Sequence, residues 1–343
     1  MDRGSVRLSV GAVTAEALRF AGRHLEDALR LCWAPTLGLL AWQAWGAAPA
    51  GDYLTGLTSD AGSAPFVRTG LTALVPLVAG LVSLVLTASY MAPLVAQAGA
   101  DVPPSHRTIP NRLGGPELRW MLGSVLSLSG LFLLAKAPVT AGLSALRRLA
   151  EHAWSAQSAT FEAGSLHASD LVPTYSEGLR DFLGGGYVGL PNGIGITTGA
   201  PGIVQAVGLV LFAYVWLRLF PLAAILTVGG GGRGVVRATL AASAGWNLAR
   251  LLGIVTLVAL ANVALVWILG WVPTLLSTAL YTAYPFLAGI SAFGSGGVIE
   301  PWVEDSLTRL SQGVEIVFLL LVTAFGAAVN AGALGAIARR VRA

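Results

Sequence analysis

Arg218 stands inside the apolar run YVWLRLFPLAA, the least ordinary setting for a charged group in this chain. An arginine at the centre of a bilayer costs about 2.5–3.5 kcal/mol on insertion scales, so it must face protein, water or a lipid headgroup. Two readings follow. It lines a substrate pathway, or it snorkels or bonds a carbonyl freed by Pro221, which has no N–H to donate. Lys136 is the single lysine, two residues before Pro138, and its ammonium can reach the interface from near the end of its apolar run. Glu315 opens the last apolar run, and a pair with Lys136 is geometrically allowed. An enzyme acting on lipid would need polar groups converging in a pocket, and the candidates for that are Arg218, Asn262 and Asn330.

Other chemistries lack their patterns. His152, His167, Asp170, Glu151 and Glu162 share one segment, but zinc ligands are usually spaced more tightly than these. The run GGGGRG at 229–234 lacks the Gly-Lys-Ser/Thr ending of a phosphate loop, and GIGITTG at 193–199 has the wrong spacing for a dinucleotide fingerprint. No Gly-x-Ser-x-Gly elbow occurs. Cys32 is the only cysteine, which rules out an intramolecular disulfide and a thiolate cluster. The expectation is a protein with no catalytic residues, no metal and no cofactor.

The elements that carry these residues follow from composition. Of 343 residues, 55% are hydrophobic and 11% charged, against about 25% charged in soluble domains. Mean hydropathy is +0.72. Thr69–Ala100 runs 32 residues, and Leu251–Ile299 runs 49, without Asp, Glu, Lys, Arg or His. About 20 apolar residues make one helical crossing of ~30 Å of hydrocarbon. The fold class expected is all-α, a polytopic transmembrane bundle. Its six spans are Leu31–Trp45, Leu71–Ala96, Trp120–Leu143, Val204–Val228, Leu251–Trp271 and Val314–Ile337. The start, MDRGSVRLSVGAV, lacks the pattern of a cleaved signal peptide.

The charges between spans alternate. Residues 1–30, 99–119, 230–250 and the tail hold fourteen arginines against six acidic residues, and the intervening segments hold five against eleven. Cytoplasmic loops keep Lys and Arg, so both termini are expected in the cytoplasm. Scattered arginines at loop ends are an orientation signal and give no surface for nucleic acid. Pro273 is expected to split the 49-residue run, leaving Thr274–Ile290 as a partly immersed or interfacial helix; the alternative is a seventh span there, which would place the arginine-rich tail outside. Trp267 and Trp271 suit the headgroup boundary.

Residues 8–30 read as an amphipathic helix lying on the cytoplasmic surface. Glu16, Arg19, Arg23, Glu26 and Arg30 form one face, and Val10, Leu18, Ala21, Leu25 and Leu29 the other. Similar elbows precede the third and fifth spans: ALRLCW at 28–33, ELRWML at 117–122 and LARLLG at 248–253 place Arg30, Arg119 and Arg250 alike. Three hairpins of common ancestry would explain this. Residues 144–203 form an extracytoplasmic insertion. It starts as a helix bearing Leu146, Leu149, Ala150, Ala153 and Trp154, holds a short helix capped by Ser176, and becomes irregular in GGGYVGLPNGIGITTGAPG. Ala328 with Gly332, and Ala331 with Gly335, allow close helix contact within the protein or between copies.

YVWLRLFPLAAILTV and ATLAASAGWNLARLLGI together resemble a signature of bacterial six-helix membrane proteins. These include the membrane domain that accompanies some glycerophosphodiester phosphodiesterases, and related uncharacterised inner-membrane proteins. Arg218, Leu219 and Pro221 match its Arg-Leu with a following Pro. Ala238 or Ala242, Ser243, Trp246, Arg250 and Leu251 match the elbow. Gly229–Gly232 and the longer insertion depart from it. Elbows suited to anionic headgroups and the lack of a catalytic constellation give the expectation of a non-enzymatic inner-membrane protein that organises lipids or partner proteins. This is in line with a family whose role is mostly undefined, and phosphodiesterase activity does not carry over. Membrane lipids, a second copy of the chain or another membrane protein are the partners expected. A transporter or channel with Arg218 in its pathway is the alternative.

Overall fold

A computed structural model of the chain describes residues 7–41, 65–100, 114–162, 182, 187–189, 195–229, 234–294 and 301–342. The helices are α1 (Val10–Ala41), α2 (Pro65–Ala100), α3 (Gly115–Leu131), α4 (Ala137–Glu162), α5 (Gly199–Leu219), α6 (Leu222–Gly229), α7 (Val235–Ala242), α8 (Trp246–Gly294) and α9 (Pro301–Arg342). A π-helical turn, Phe132–Lys136, joins α3 to α4. Five helical segments are long and apolar enough to cross a membrane: Val78–Ala100, Gly115–Leu149, Gly199–Gly229, Trp246–Phe286 and Asp305–Val341. These contain most or all of the second to sixth expected spans. The end of the first, residues 42–45, lies outside the described residues, as do Arg107, Arg112, Arg233, His167, Asp170 and the Ser176 helix.

The chain divides into two compact units. Unit 1 comprises Met1–Gly123 and Pro221–Ala343. It is organised around α9, which packs against α1, α2, α6, α7 and α8. Between helices in lipid the hydrophobic effect supplies little drive, so close approach by small residues replaces it. The small residues of α9 are used in this way, inside the chain. A Cβ at Gly332 would lie 2.9 Å from Ala17 Cα on α1, and one at Gly335 would lie 2.5 Å from Ala98 Cβ on α2.

Helix α1 is bent at His24, whose φ of −119° and ψ of 22° are non-helical. The bend puts Arg30 in the second turn of its segment, as Arg119 is in α3 and Arg250 in α8. One expectation for α1 needs correction. Its buried stripe is Val13, Ala17, Ala21 and Ala28, while Leu18 on the expected apolar face is exposed. Alanines fit the tight contact with α9, and the bulkier leucine is left outside.

Helix α8 also departs from expectation. Pro273 and Pro285 lie inside one unbroken helix of 49 residues, about 74 Å at 1.5 Å per residue. Residues 274–290 therefore continue the helix that carries the fifth expected span and do not form a separate one. Each proline deletes one N–H and frees only the carbonyl four residues earlier, and the helix continues on its remaining bonds. Thr274 Oγ1 donates to the Gly270 carbonyl at 3.0 Å, and Thr278 Oγ1 to the Thr274 carbonyl at 2.7 Å.

Unit 2 spans Ser124–Phe220. In it α4 and the π turn pack on α5, with Gly208 admitting Val139 so closely that a Cβ there would lie 2.5 Å from Val139 Cγ2. The stretch read as irregular contains a small antiparallel ribbon, β1 (Tyr187–Gly189) with β2 (Gly195–Thr197), in register Val188 to Ile196. Glycine bars a stable helix there but does not bar two three-residue strands from pairing.

Candidate functional site

Arg218 satisfies part of its polarity on its own helix. It lies one turn after Tyr214 on α5, and the Tyr214 hydroxyl accepts from its Nε at 3.2 Å and Nη2 at 2.9 Å. The guanidinium carbon stands 5.2 Å from the Tyr214 ring centroid, within cation–π range. Pro221 is fully buried and sits at the break between α5 and α6. The Phe220 N–H donates to the Trp216 carbonyl at 2.7 Å, and Ser127 Oγ donates to the Leu219 carbonyl at 3.3 Å. Tyr214 thus engages Arg218 on its own helix, beside the break.

Lys136 closes the π turn, where the Ala137 N–H reaches back to the Phe132 carbonyl. The wider turn relieves the clash that Pro138 would otherwise make with the preceding turn. The lysine is exposed, with its ammonium 5.4 Å from the Phe132 ring centroid. Its suggested partner Glu315 belongs to the other compact unit.

Asn262 and Asn330 are brought to one place in unit 1. Asn330 Nδ2 donates to the Gly326 carbonyl at 2.8 Å, and a Cβ at Gly326 would lie 3.2 Å from Asn262 Oδ1. The Asn262 oxygen is buried without a hydrogen-bond donor. Arg218 belongs to unit 2, so the expected trio is resolved into an asparagine pair within one unit and an arginine assigned to the other.

Trp246 and Arg250 share the start of α8, which Gly245 opens with a positive φ of 54°. Asn247, buried between them, accepts from the Leu8 N–H and from Arg250 Nη1, each at 3.4 Å. Trp246 itself is 83% exposed. On the preceding helix, Val235, Thr239, Ala242 and Ser243 are buried, while Val236, Arg237 and Leu240 face outward. The outward face of α7 and Trp246 is therefore apolar with one arginine.

Two polar clusters escaped the sequence reading. His24 Nδ1 lies 3.1 Å from Asp27 Oδ2 at the bend of α1. Gln97 Nε2, from α2, donates to that carboxylate at 3.3 Å and meets His24 Nδ1 at 2.9 Å. A usable signal was present: Gln97 is an amide inside a 32-residue uncharged run and needed a partner. In the second cluster Glu16 of α1 pairs with Arg339 and Arg340 of α9, the latter at 3.0 Å. Nothing in either local pattern links residues so distant in sequence.

Among the described residues, no group of three or more His, Cys, Asp or Glu side chains could hold a metal ion. No family model matches the chain, and comparison with curated proteins and with solved structures gave no match either. The class these features define is a multi-pass, helical membrane protein, with five candidate membrane-spanning helices.

Proposed function

We propose that this chain is a non-enzymatic inner-membrane protein that organises lipids or partner proteins, with six spans, interfacial elbow helices and both termini in the cytoplasm. The observation that carries the reading is the exposed surface of α7 and the start of α8. Val236, Arg237 and Leu240 are exposed on α7, a helix too short to span, and the 83% exposed Trp246 follows at the start of α8. An apolar face with flanking arginines suits the headgroup boundary, where indole keeps one wet edge. The likeness of the Arg218–Pro221 and Ala238–Leu251 stretches to bacterial six-helix membrane proteins supports the same reading.

The test is compositional. Protein purified in mild detergent is expected to carry lipid or a partner, and deletion in the native cell to change envelope composition. Protein that comes away bare, from cells whose envelope is unaltered by the deletion, overturns the proposal. A reporter fused after Ala343 is expected in the cytoplasm. The transport alternative rests on Arg218 alone, and it requires that Arg218→Ala abolish flux of a substrate.

A further inference from the structure

We infer that the bend of α1 is a proton switch, in which protonation of His24 releases the Gln97 amide and loosens the turn after the bend. The inference stands on its own geometry and does not depend on the lipid-organising reading. Three polar atoms meet where α1 departs from helical geometry at His24. His24 Nδ1 lies 3.1 Å from Asp27 Oδ2, and Gln97 Nε2 lies 2.9 Å from His24 Nδ1 and 3.3 Å from Asp27 Oδ2. The imidazole accepts from that amide only when it is neutral with its proton on Nε2. Protonated, it carries N–H at both nitrogens, so Nδ1 donates to Asp27 and confronts the amide N–H. The amide oxygen is no substitute, because turned inward it would lie against the Asp27 carboxylate. A proton thus turns the shorter of the amide's two links to α1 into a pair of donors facing each other. His24 and Asp27 then close on themselves as an ion pair within α1.

The response has a defined place. Gln97 is buried, so an amide N–H that loses its acceptor there is costly to leave unpaired. The His24 and Asp27 side chains are 32% and 26% exposed, which gives protons a way in. Helix α2 is fixed around Gln97: a Cβ at Gly335 of α9 would lie 2.5 Å from Ala98 Cβ, and one at Gly99 would lie 2.5 Å from Val228 Cγ2 of α6. Before the bend α1 is fixed too, since a Cβ at Gly332 would meet Ala17 and Phe20 at 2.9 and 3.0 Å. The turn after the bend, held to α2 by Gln97, is what remains to move. Other charges are engaged away from the imidazole. Helix α1 packs on α2, α8 and α9. Residues 69–100 of α2 hold no Asp, Glu, Lys, Arg or His, and Tyr90 lies two turns before Gln97. From α9, Arg339 and Arg340 pair with Glu16, about 12 Å before His24 along the helix. From α8, Arg250 bonds Asn247, which accepts the Leu8 N–H. On α1 itself Arg23 and Glu26 are exposed, and Glu26 pairs with Arg30.

The experiment is hydrogen exchange of the full chain in detergent at about pH 8 and about pH 5, the interval in which an imidazole takes up its proton. Rates for residues 24–31 are read after division by their intrinsic values at each pH. Exchange there is expected to be about fivefold faster at the acid end, the equivalent of one hydrogen bond lost. His24→Asn puts an amide oxygen in the place of Nδ1, keeps the acceptor for Gln97 and cannot titrate, so it is expected to exchange slowly at both ends. Asparagine also tolerates non-helical backbone, which keeps this variant foldable. Gln97→Leu is expected to exchange fast at both ends. Equal protection of the unsubstituted protein at the two pH values overturns the inference, as does a pH response that survives in His24→Asn. The nitrogen spectrum of histidine-labelled protein, with His24 assigned by its loss in that variant, gives a second reading. At the alkaline end His24 is expected with its proton on Nε2, and a proton on Nδ1 overturns the inference.

Discussion

Along α9 in unit 1 the residues from Ala324 to Ala338 are buried almost without interruption, whereas α5 in unit 2 leaves Ile203, Val207, Leu209, Val210 and Phe212 exposed. The compositions match. The buried stretch of α9 is mostly Ala and Gly, and the exposed face of α5 is large and aliphatic. In water this would be inverted, with the large side chains inside. In lipid, large side chains gain little by leaving one apolar medium for another, and backbones approach where side chains are smallest. Unit 1 is accordingly the part of the chain whose helices are held by shape, and unit 2 the part that presents most of its bulk to its surroundings.

The largest test of that contrast is one substitution made in both units. Gly335→Ala would set a Cβ 2.5 Å from Ala98 Cβ and 2.8 Å from the Ala98 carbonyl carbon and Gly99 nitrogen, all parts that cannot rotate away. It is expected to destabilise by about 3 kcal/mol, the upper end of ordinary overpacking. Gly142→Ala on α4 would meet only Val204 Cγ1 at 3.4 Å. There the better helix propensity of alanine should win, stabilising by up to about 1 kcal/mol. Thermal unfolding of both variants in one detergent reads the two signs. A gain at Gly335 would show that α9 is not held by close approach.

The asparagine pair gives the next effect. Gly326→Ala would bring a Cβ to 3.2 Å from Asn262 Oδ1 and should cost about 1 kcal/mol. Asn262→Ala removes both the obstruction and an unpaired buried oxygen, so it should be close to neutral alone and should rescue Gly326→Ala. A double-mutant cycle measures the coupling. Independent effects would mean that the two residues do not meet.

What the sequence made legible was what depends on composition and local period. The helical content, five helices long and apolar enough to cross and the small-residue spacing on α9 all follow from runs of apolar residues and their intervals. The helix ends were less legible. Pro273 reads as a boundary because a lone proline breaks helices in water, yet α8 continues through it as one helix. The polar clusters were least legible. Arg218 advertised itself by being charged in an apolar run, and its partner Tyr214 lies one turn away. Glu16 looked like one more residue on a wet face, and its partners are more than three hundred positions further on. Periodicity reports which face of a helix is polar, and has no means of reporting what that face meets.

Tyr214→Phe tests Arg218 with a smaller effect. Interhelical polar contacts in membrane proteins average about 0.6 kcal/mol, and loss of the phenol oxygen within α5 should cost a similar amount. Arg218→Ala removes that contact together with the cation–π approach to the Tyr214 ring. If it abolished a measured flux at unchanged stability, the arginine would belong to a transport pathway.

The smallest effect should fall on the outer face of unit 2. Leu209 and Val210 are 70% and 72% exposed, and Leu209→Ala exchanges a few apolar contacts with lipid for others. Its stability in bilayers should change by less than about 0.5 kcal/mol, as for substitutions away from packed contacts. Leu94→Ala in unit 1, where the side chain is fully buried, should cost about 2–5 kcal/mol, because it leaves a cavity that lipid cannot fill. The pair separates two reasons for a leucine to be exposed in this structure. If lipid covers Leu209, the substitution is nearly silent. If a second copy or another membrane protein covers it, Leu209→Ala should behave like Leu94→Ala in the membrane and lower the mass of the purified complex. A large effect at Leu209 would therefore place a protein partner on the face that composition alone assigns to lipid.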